Sequence, residues 1–159
     1  MFFAILETAM VFWSSHVLED AVASAARDIY TGGFQKTNAA TLANSPQLMP
    51  GVLKTAICSH VVAMFDCSAN LTVDVRAYTD AEGFPSSITS PIVTDSSGHR
   101  SVDSSFGQYQ NPGPNTIVLV RVVVRYPVFA SLLDATASNL TGTTRILMST
   151  VAFRTEPYV

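Results

Sequence analysis

The side chains that could support hydrolysis are dispersed along the sequence. His16, His60 and His99 lie in three separate segments, and many serines and aspartates surround them. A nucleophilic serine commonly sits in a Gly-x-Ser-x-Gly turn or a Ser-x-x-Lys motif. Neither motif occurs in the chain, so the sequence predicts a protein that is not an enzyme.

The sequence also lacks the ligand spacings of common metal sites. Cys58 and Cys67 have no further His or Cys pair at the spacing of a zinc site. The acidic residues of the segment 80–115 lack the alternating spacing of a known calcium loop. We expect no metal ion and no cofactor, with calcium binding by this segment kept as an alternative. These acidic residues are Asp80, Glu82, Asp95 and Asp103.

The two cysteines are better explained by a structural bond. A disulfide between Cys58 and Cys67 would close a loop of about ten residues and stabilise the fold by roughly 2.7 kcal/mol. Such a bond requires an oxidising compartment. The alternative is two reduced cysteines in the core.

Glu7 interrupts the apolar run MFFAILETAMVFW. An ionised carboxylate in an apolar environment needs a partner, a proton or a functional reason. In one interpretation Glu7 lies in a helix bundle, where a cation or amine of an adjacent subunit neutralises it and fixes the axial register. In the other it reaches towards lipid headgroups or is protonated, because the polar Ser14 follows seven residues later. Trp13 fits an aromatic belt where the helix leaves lipid.

Composition sets the class of protein. The chain has 159 residues, which suits one domain, and 48% of them are hydrophobic while 13% are charged. This charged share is about half the usual value and suits a surface covered by lipid or other subunits. The net charge is -3 and the nine Lys and Arg residues are scattered, so we expect no nucleic-acid partner.

The first thirty residues are predicted to form one helix. Gly32 and Gly33 supply its stop signal. Residues 1–13 are apolar nearly all round and too few to span a bilayer, whereas residues 14–31 are amphipathic. We expect the chain to begin partway through a membrane segment, with residues 1–33 as the N-terminal helix and 34–159 as a globular head. The apolar stripe of the second half comprises Val17, Leu18, Ala21, Val22, Ala25 and Ile29.

The head is predicted to contain a second helix and an antiparallel sheet of three or four strands. After a polar stretch from 34 to 50, five apolar residues recur at helical spacing, and the strand LTVDVRAY follows. The run TIVLVRVVVRYPVF predicts a central strand, and TRILMSTVAFRTEPY predicts another, in which Leu147, Val151 and Phe153 alternate with Ser149 and Thr150. Two helices followed by strands predict an α+β fold. The five apolar residues of the second helix are Leu53, Ala56, Ile57, Val61 and Met64.

Two further segments complete the head. Residues 80–115 are predicted to form a long loop with a short strand around Ile92 and Val93. Residues 130–140 are predicted to form a short helix or a loop. Arg121 and Arg125 share one face of the central strand, where they either pair with Asp74 or Glu156 or meet a partner subunit.

The segment FFAILETAMVFWSSHVLEDAVASAARDIYTGG resembles the N-terminal helix of the TadE-like minor pseudopilins of tight-adherence (Flp-type) pili. In that family an apolar run with a late glutamate leads into an alanine-rich stretch ending in an Ala-Arg pair, here Ala26 and Arg27. The two cysteines, the segment NPGPNTIVLVRVVVRYPV and the closing AFRTEPY follow in the family's order. The family's basic leader, Gly-ending peptidase site and first glutamate are not present, and Glu7 matches the later glutamate. We therefore expect Met1 to be a trimmed start.

The resemblance implies a pilin-like subunit that primes or caps pilus assembly. Its implied partners are other minor pseudopilins, pilus subunits and the inner membrane, with no small-molecule substrate. Its implied location is the bacterial inner membrane with a periplasmic head, or the extracellular pilus. Arg121, Arg125, His99 and Tyr109 are candidate partner-facing residues, and Glu7 and Trp13 are candidate helix contacts. The alternatives are an adhesin that binds a surface through residues 80–115, and an anchored periplasmic enzyme.

Overall fold

The computed structural model describes residues 2–61, 65–79, 83–128 and 144–157. A long N-terminal helix and a shorter helix pack on a three-stranded antiparallel sheet, so the predicted α+β class is confirmed. The strands of this sheet are β1 (Leu71–Tyr78), β4 (Ile117–Pro127) and β5 (Thr144–Arg154), in the order β1-β4-β5. The strand β4 is central, as its valine-rich sequence predicts.

The first helix, α1 (Phe2–Tyr30), is continuous. It ends where predicted, because Gly32 adopts the left-handed conformation with φ 76°. Its C-terminal half packs on β5 and on the helix α4 (Met49–His60). The buried residues of α1 include most of the predicted stripe and two small residues outside it, Ser14 and Ala26. The complete buried set of this helix is Ser14, Leu18, Ala21, Val22, Ala25, Ala26 and Ile29.

The polar stretch between the two long helices is more ordered than its composition predicts. It forms α2 (Gly33–Thr37), α3 (Ala39–Asn44) and a 3-10 helix (Pro46–Leu48). Such short helices gain their stability from packing rather than propensity, and Phe34 is buried against the core.

The second predicted helix corresponds to α4, which is shorter than its apolar spacing suggests. Met49, Leu53 and Ile57 form its buried face. Val61 lies beyond its end in an extended conformation, where its N–H bonds the Cys58 carbonyl. The predicted inclusion of Val61 is therefore wrong, and Met64 lies outside the described residues.

The sheet buries its inner face under the helices. Four alternate valines of β4 are almost completely buried there, because residues two apart on a strand share a face. On β5 the predicted alternation is wrong at one position: Ser149 lies on the same face as Leu147 and is buried. The four valines are Val118, Val120, Val122 and Val124.

The long loop carries the predicted short strand and a partner for it. β2 (Ile92–Thr94) pairs antiparallel with β3 (Arg100–Val102). Residues 83–115 lie partly over the outer face of the main sheet, where Arg121 bonds the Thr89 carbonyl. The predicted helix or loop at 130–140 lies outside the described residues.

Candidate assembly surface and loop anchor

The N-terminal half of α1 exposes large apolar side chains. This contrasts with the C-terminal half, where six apolar residues between Leu18 and Ile29 are buried and Tyr30 is partly exposed. Contiguous exposed apolar surface of this kind commonly marks a site of contact with lipid or protein. We call this set the N-terminal apolar surface, and it consists of Phe2, Phe3, Ile5, Leu6, Met10, Phe12 and Trp13.

Glu7 lies at the border between this surface and the head. It is half-buried and lines a cavity of about 250 Å³ between α1 and β5. Arg145, on β5, lines the same cavity. The fold therefore brings a cationic residue of the same chain to the cavity that contains the carboxylate, a neighbour that sequence spacing did not indicate. Trp13 lies outside the cavity and is exposed.

No helix within residues 2–61, 65–79, 83–128 and 144–157 combines the length and the apolar character that crossing a membrane requires.

The predicted disulfide is confirmed. Cys58 near the end of α4 is bonded to Cys67 at the start of α5 (Cys67–Asn70), with a Cα–Cα distance of 5.7 Å. The Asp66 side chain caps α5 by accepting from the Ser68 hydroxyl at 2.8 Å and the Ala69 N–H at 3.0 Å. These hydrogen bonds lower the pKa of Asp66. Since β1 follows α5 directly, the Cys58–Cys67 disulfide links α4 to the sheet.

Asp74 is the centre of a buried ionic network on the outer face of the sheet. It lies directly opposite Arg121 in the β1-β4 register, and Arg121 Nη2 donates to Asp74 Oδ2 at 2.7 Å. Arg76 Nε donates to both carboxylate oxygens at 3.2 Å. Asp74 is completely buried. Of the two predicted partners for Arg121, the structure confirms Asp74.

The same carboxylate holds the long loop. Asp74 Oδ1 accepts from the N–H groups of Gly107 at 3.3 Å and Gln108 at 3.1 Å. Burial raises the pKa of Asp74, but the hydrogen bonds from Arg76, Arg121 and Gln108 outweigh it, so the pKa lies below its ordinary value. The network, called the loop anchor below, therefore needs Asp74 in its ionised form.

The two arginines add a second contact to Gln108 and extend the loop anchor to two more loop residues, Ser105 and Thr89. Arg76 Nη1 donates to the Gln108 side chain at 3.0 Å, and Arg76 Nη2 donates to the Ser105 carbonyl at 3.2 Å. Arg121 Nη1 donates to the Thr89 carbonyl at 2.7 Å. Sequence reasoning missed these contacts, because they join residues about thirty positions apart.

The loop also covers the free edge of β1. The Val75 N–H donates to the Gln108 carbonyl at 2.8 Å, and the Gln110 N–H donates to the Val75 carbonyl at 2.9 Å. Tyr109, between them, forms a bridge with Val75 and packs its half-buried ring near Phe34, with the ring centroids 6.3 Å apart. An exposed edge is open to pairing with another chain, and these contacts cover it at Val75.

The other candidate partner-facing residues lie at the surface. His99 is exposed in the turn between β2 and β3, with its Nδ1 3.4 Å from Asp95 Oδ2. Arg125 is exposed and donates to the Ala69 carbonyl at 3.5 Å. Arg121, on the same face of β4, is buried instead. The structure thus does not bring His99, Arg125, Arg121 and Tyr109 together into one site.

Within the described part of the chain, no three His, Cys, Asp or Glu residues are grouped closely enough to hold a metal ion. Comparisons with protein-family models, with curated proteins and with solved structures found no match.

Proposed function

We propose that the chain is a minor pseudopilin, a structural subunit that primes or caps a tight-adherence type IV pilus. The observation that carries this proposal is the division of α1. One continuous helix packs its second half on the head and leaves its first half with an exposed apolar surface. The resemblance of the sequence to TadE-like pseudopilins supports the same role.

In this role the N-terminal apolar surface packs against the inner membrane before assembly and against helices of other pilus subunits afterwards. Removing this apolar area from water, into either environment, contributes about 25 cal/mol per Å². The Cys58–Cys67 disulfide suits a periplasmic or extracellular head. Glu7 lies at the border between the N-terminal apolar surface and the head of its own chain, in the cavity that Arg145 also lines.

The proposal is tested by counting surface pili by electron microscopy in a strain that lacks this gene. The deletion strain is complemented with the wild-type gene or with a Leu6→Asn variant. Leu6 is 47% exposed on α1, so this substitution removes apolar surface without opening the core. The matched control is Leu48→Asn, because Leu48 is 57% exposed on the head.

We expect pili to vanish on deletion, to return with the wild type and with Leu48→Asn, and to stay reduced with Leu6→Asn. Normal pilus numbers in the deletion strain would refute the assembly role.

A second candidate function, a surface adhesin, is favoured by one observation. The loop anchor holds a long Ser- and Gly-containing loop in a defined conformation, as a binding surface requires. Normal pili with lost attachment in the same deletion strain would favour this second function.

A further inference from the structure

A polar cavity of about 240 Å³ lies on the outer face of the sheet. Its lining includes Arg76 and Tyr78 from β1 and Arg121 from β4. The rest of the lining comes from two loop segments, 85–90 and 103–106. Within these segments, Ser86 and Ser104 do not line the cavity. The volume corresponds to about eight water molecules at liquid density, which suits a small ligand and not a peptide.

The charges around the cavity balance. Arg76 and Arg121 carry two positive charges, while Asp103 in the lining and Asp74 bonded to both arginines carry two negative ones. A cationic ligand would meet the arginines, and an anionic ligand would meet Asp103. Neither gains a net electrostatic attraction, so the cavity favours a neutral ligand.

The polar groups of the lining suit hydroxyl groups. Guanidinium groups only donate hydrogen bonds, an ionised carboxylate only accepts them, and each ligand hydroxyl can do both. Ser87 and Ser105 add side-chain hydroxyls, and Asp103 adds carboxylate oxygens. The lining therefore offers both donors and acceptors to ligand hydroxyls.

The lining also offers apolar contact. Phe106 and Tyr78 contribute aromatic rings, and Ile88 contributes an exposed aliphatic side chain. A small number of placed polar groups beside apolar walls is the usual composition of a small-ligand site. A sugar ring has both properties, because its hydroxyls lie around its edge and its C–H bonds form its faces.

The polar groups are held in place before any ligand arrives. Arg121 is fixed by Asp74 and the Thr89 carbonyl, and its guanidinium carbon lies 5.0 Å from the centre of the Phe106 ring. Arg76 is fixed by Asp74 and the Ser105 carbonyl. Side chains ordered in advance lose less conformational entropy on binding.

We propose that this cavity binds a neutral sugar ring, of the size of one unit of a surface polysaccharide. The site is independent of the assembly role, since it lies on the face of the sheet opposite α1. It goes beyond the structural function by giving the head a chemical ligand.

The test is an NMR titration of the nitrogen-15-labelled chain of 159 residues. Because the N-terminal apolar surface is exposed, the protein is kept in a zwitterionic detergent. A detergent with a sugar headgroup is avoided, because that headgroup would compete for the cavity. Glucose, galactose, mannose and N-acetylglucosamine are titrated separately to about 100 mM, well above millimolar dissociation constants. Glucuronate and glucosamine serve as the negatively and positively charged comparisons.

We expect saturable shifts of the amides at 87–90 and 103–106 with at least one neutral sugar, and binding about tenfold weaker for the charged analogues. Ser105→Trp, which places a large ring at the cavity, should abolish the shifts. The neighbouring Ser104→Trp should preserve them, because Ser104 is exposed and not part of the lining.

Three results would overturn the proposal. They are the absence of saturable shifts with every neutral sugar, tighter binding of a charged analogue, and unchanged sugar binding in Ser105→Trp. Circular dichroism spectra of both tryptophan variants that match the wild type would exclude misfolding as the cause of a loss.

Discussion

The two faces of the three-stranded sheet are stabilised by different physical means. The inner face is a mainly apolar layer, in which valines of β1 and β4 pack under α1 and α4. The outer face depends at its centre on one carboxylate, Asp74, and the donors that surround it. Apolar burial is non-directional and spread over many residues, whereas a buried ionic network depends on every member. The inner face should therefore tolerate small changes that the outer face does not.

The largest effect is expected from Asp74→Asn. The substitution preserves size but leaves Arg121 buried without its counter-charge, and breaking a buried pair in this way costs about 3–5 kcal/mol. Hydrogen exchange should show the N–H groups of Gly107 and Gln108 opening at least 100-fold faster than in the wild type. The control is Asp95→Asn, because Asp95 is an exposed turn carboxylate of the same loop. Equal exchange in both variants would show that Asp74 does not anchor the loop.

A core truncation should affect the molecule as a whole. Leu53→Ala removes a completely buried side chain of α4 and should lower the free energy of unfolding by about 2–5 kcal/mol. The urea midpoint measures this loss, and we expect exchange to accelerate throughout the sheet and not in the loop alone. Leu48→Ala, at an exposed position nearby, should change stability by no more than about 0.5 kcal/mol. A loss confined to the loop would contradict the separation of the two faces.

Acidification should weaken the outer face selectively. Its effect on the free energy of unfolding should be smaller than that of Asp74→Asn or Leu53→Ala. The pKa of Asp74 in the folded protein lies below its unfolded value of about 3.9. Its contribution to stability is therefore complete above that value and is lost as the pH falls through the folded pKa. Urea midpoints measured between neutral pH and acid should fall more steeply for the wild type than for Asp74→Asn. Parallel pH profiles would refute this linkage.

The smallest effect is expected at a loop glycine. Gly107 has φ +101°, and a Cβ there would lie 2.9 Å from Thr72 Cγ2. Gly107→Ala should cost about 1–2 kcal/mol. Gly51→Ala in α4 is the matched control, since a Cβ there meets nothing within 4 Å and should stabilise the helix by about 0.5 kcal/mol. Thermal unfolding of both variants should show shifts of opposite sign.

The long regular elements could be predicted because their periodic patterns extend over many residues. Alternating valines identify β4 as the central strand, and Gly32 marks the end of α1. The disulfide was predicted from the spacing of the two cysteines, with two reduced cysteines as the alternative, and the structure decides for the bond. The helices α2 and α3 could not be predicted in this way, because five or six residues are too few for a helical period to be distinguished from chance.

The loop anchor was only half predictable. The sequence offered Asp74 or Glu156 as partners of Arg121, and only the strand register decides between them. The contacts of Arg76 and Arg121 with Ser105 and Thr89 use main-chain carbonyls, which any residue supplies. Nothing in the side-chain types at those positions indicates the contact. The presence of Arg145 in the cavity that Glu7 lines depends in the same way on how β5 packs against α1.

The packing of α1 on β5 joins the first element of the chain to the last, with the Glu156 N–H bonding the Tyr30 carbonyl at 3.1 Å. About 110 residues separate the end of the helix from the start of the strand. At 5–20 residues per second, translation of this interval takes roughly 6–20 s. The part of α1 that packs on β5 thus lacks its partner strand throughout that period, whereas α4 is made much earlier. The N-terminal helix therefore completes its packing only late in the synthesis of residues 1–159.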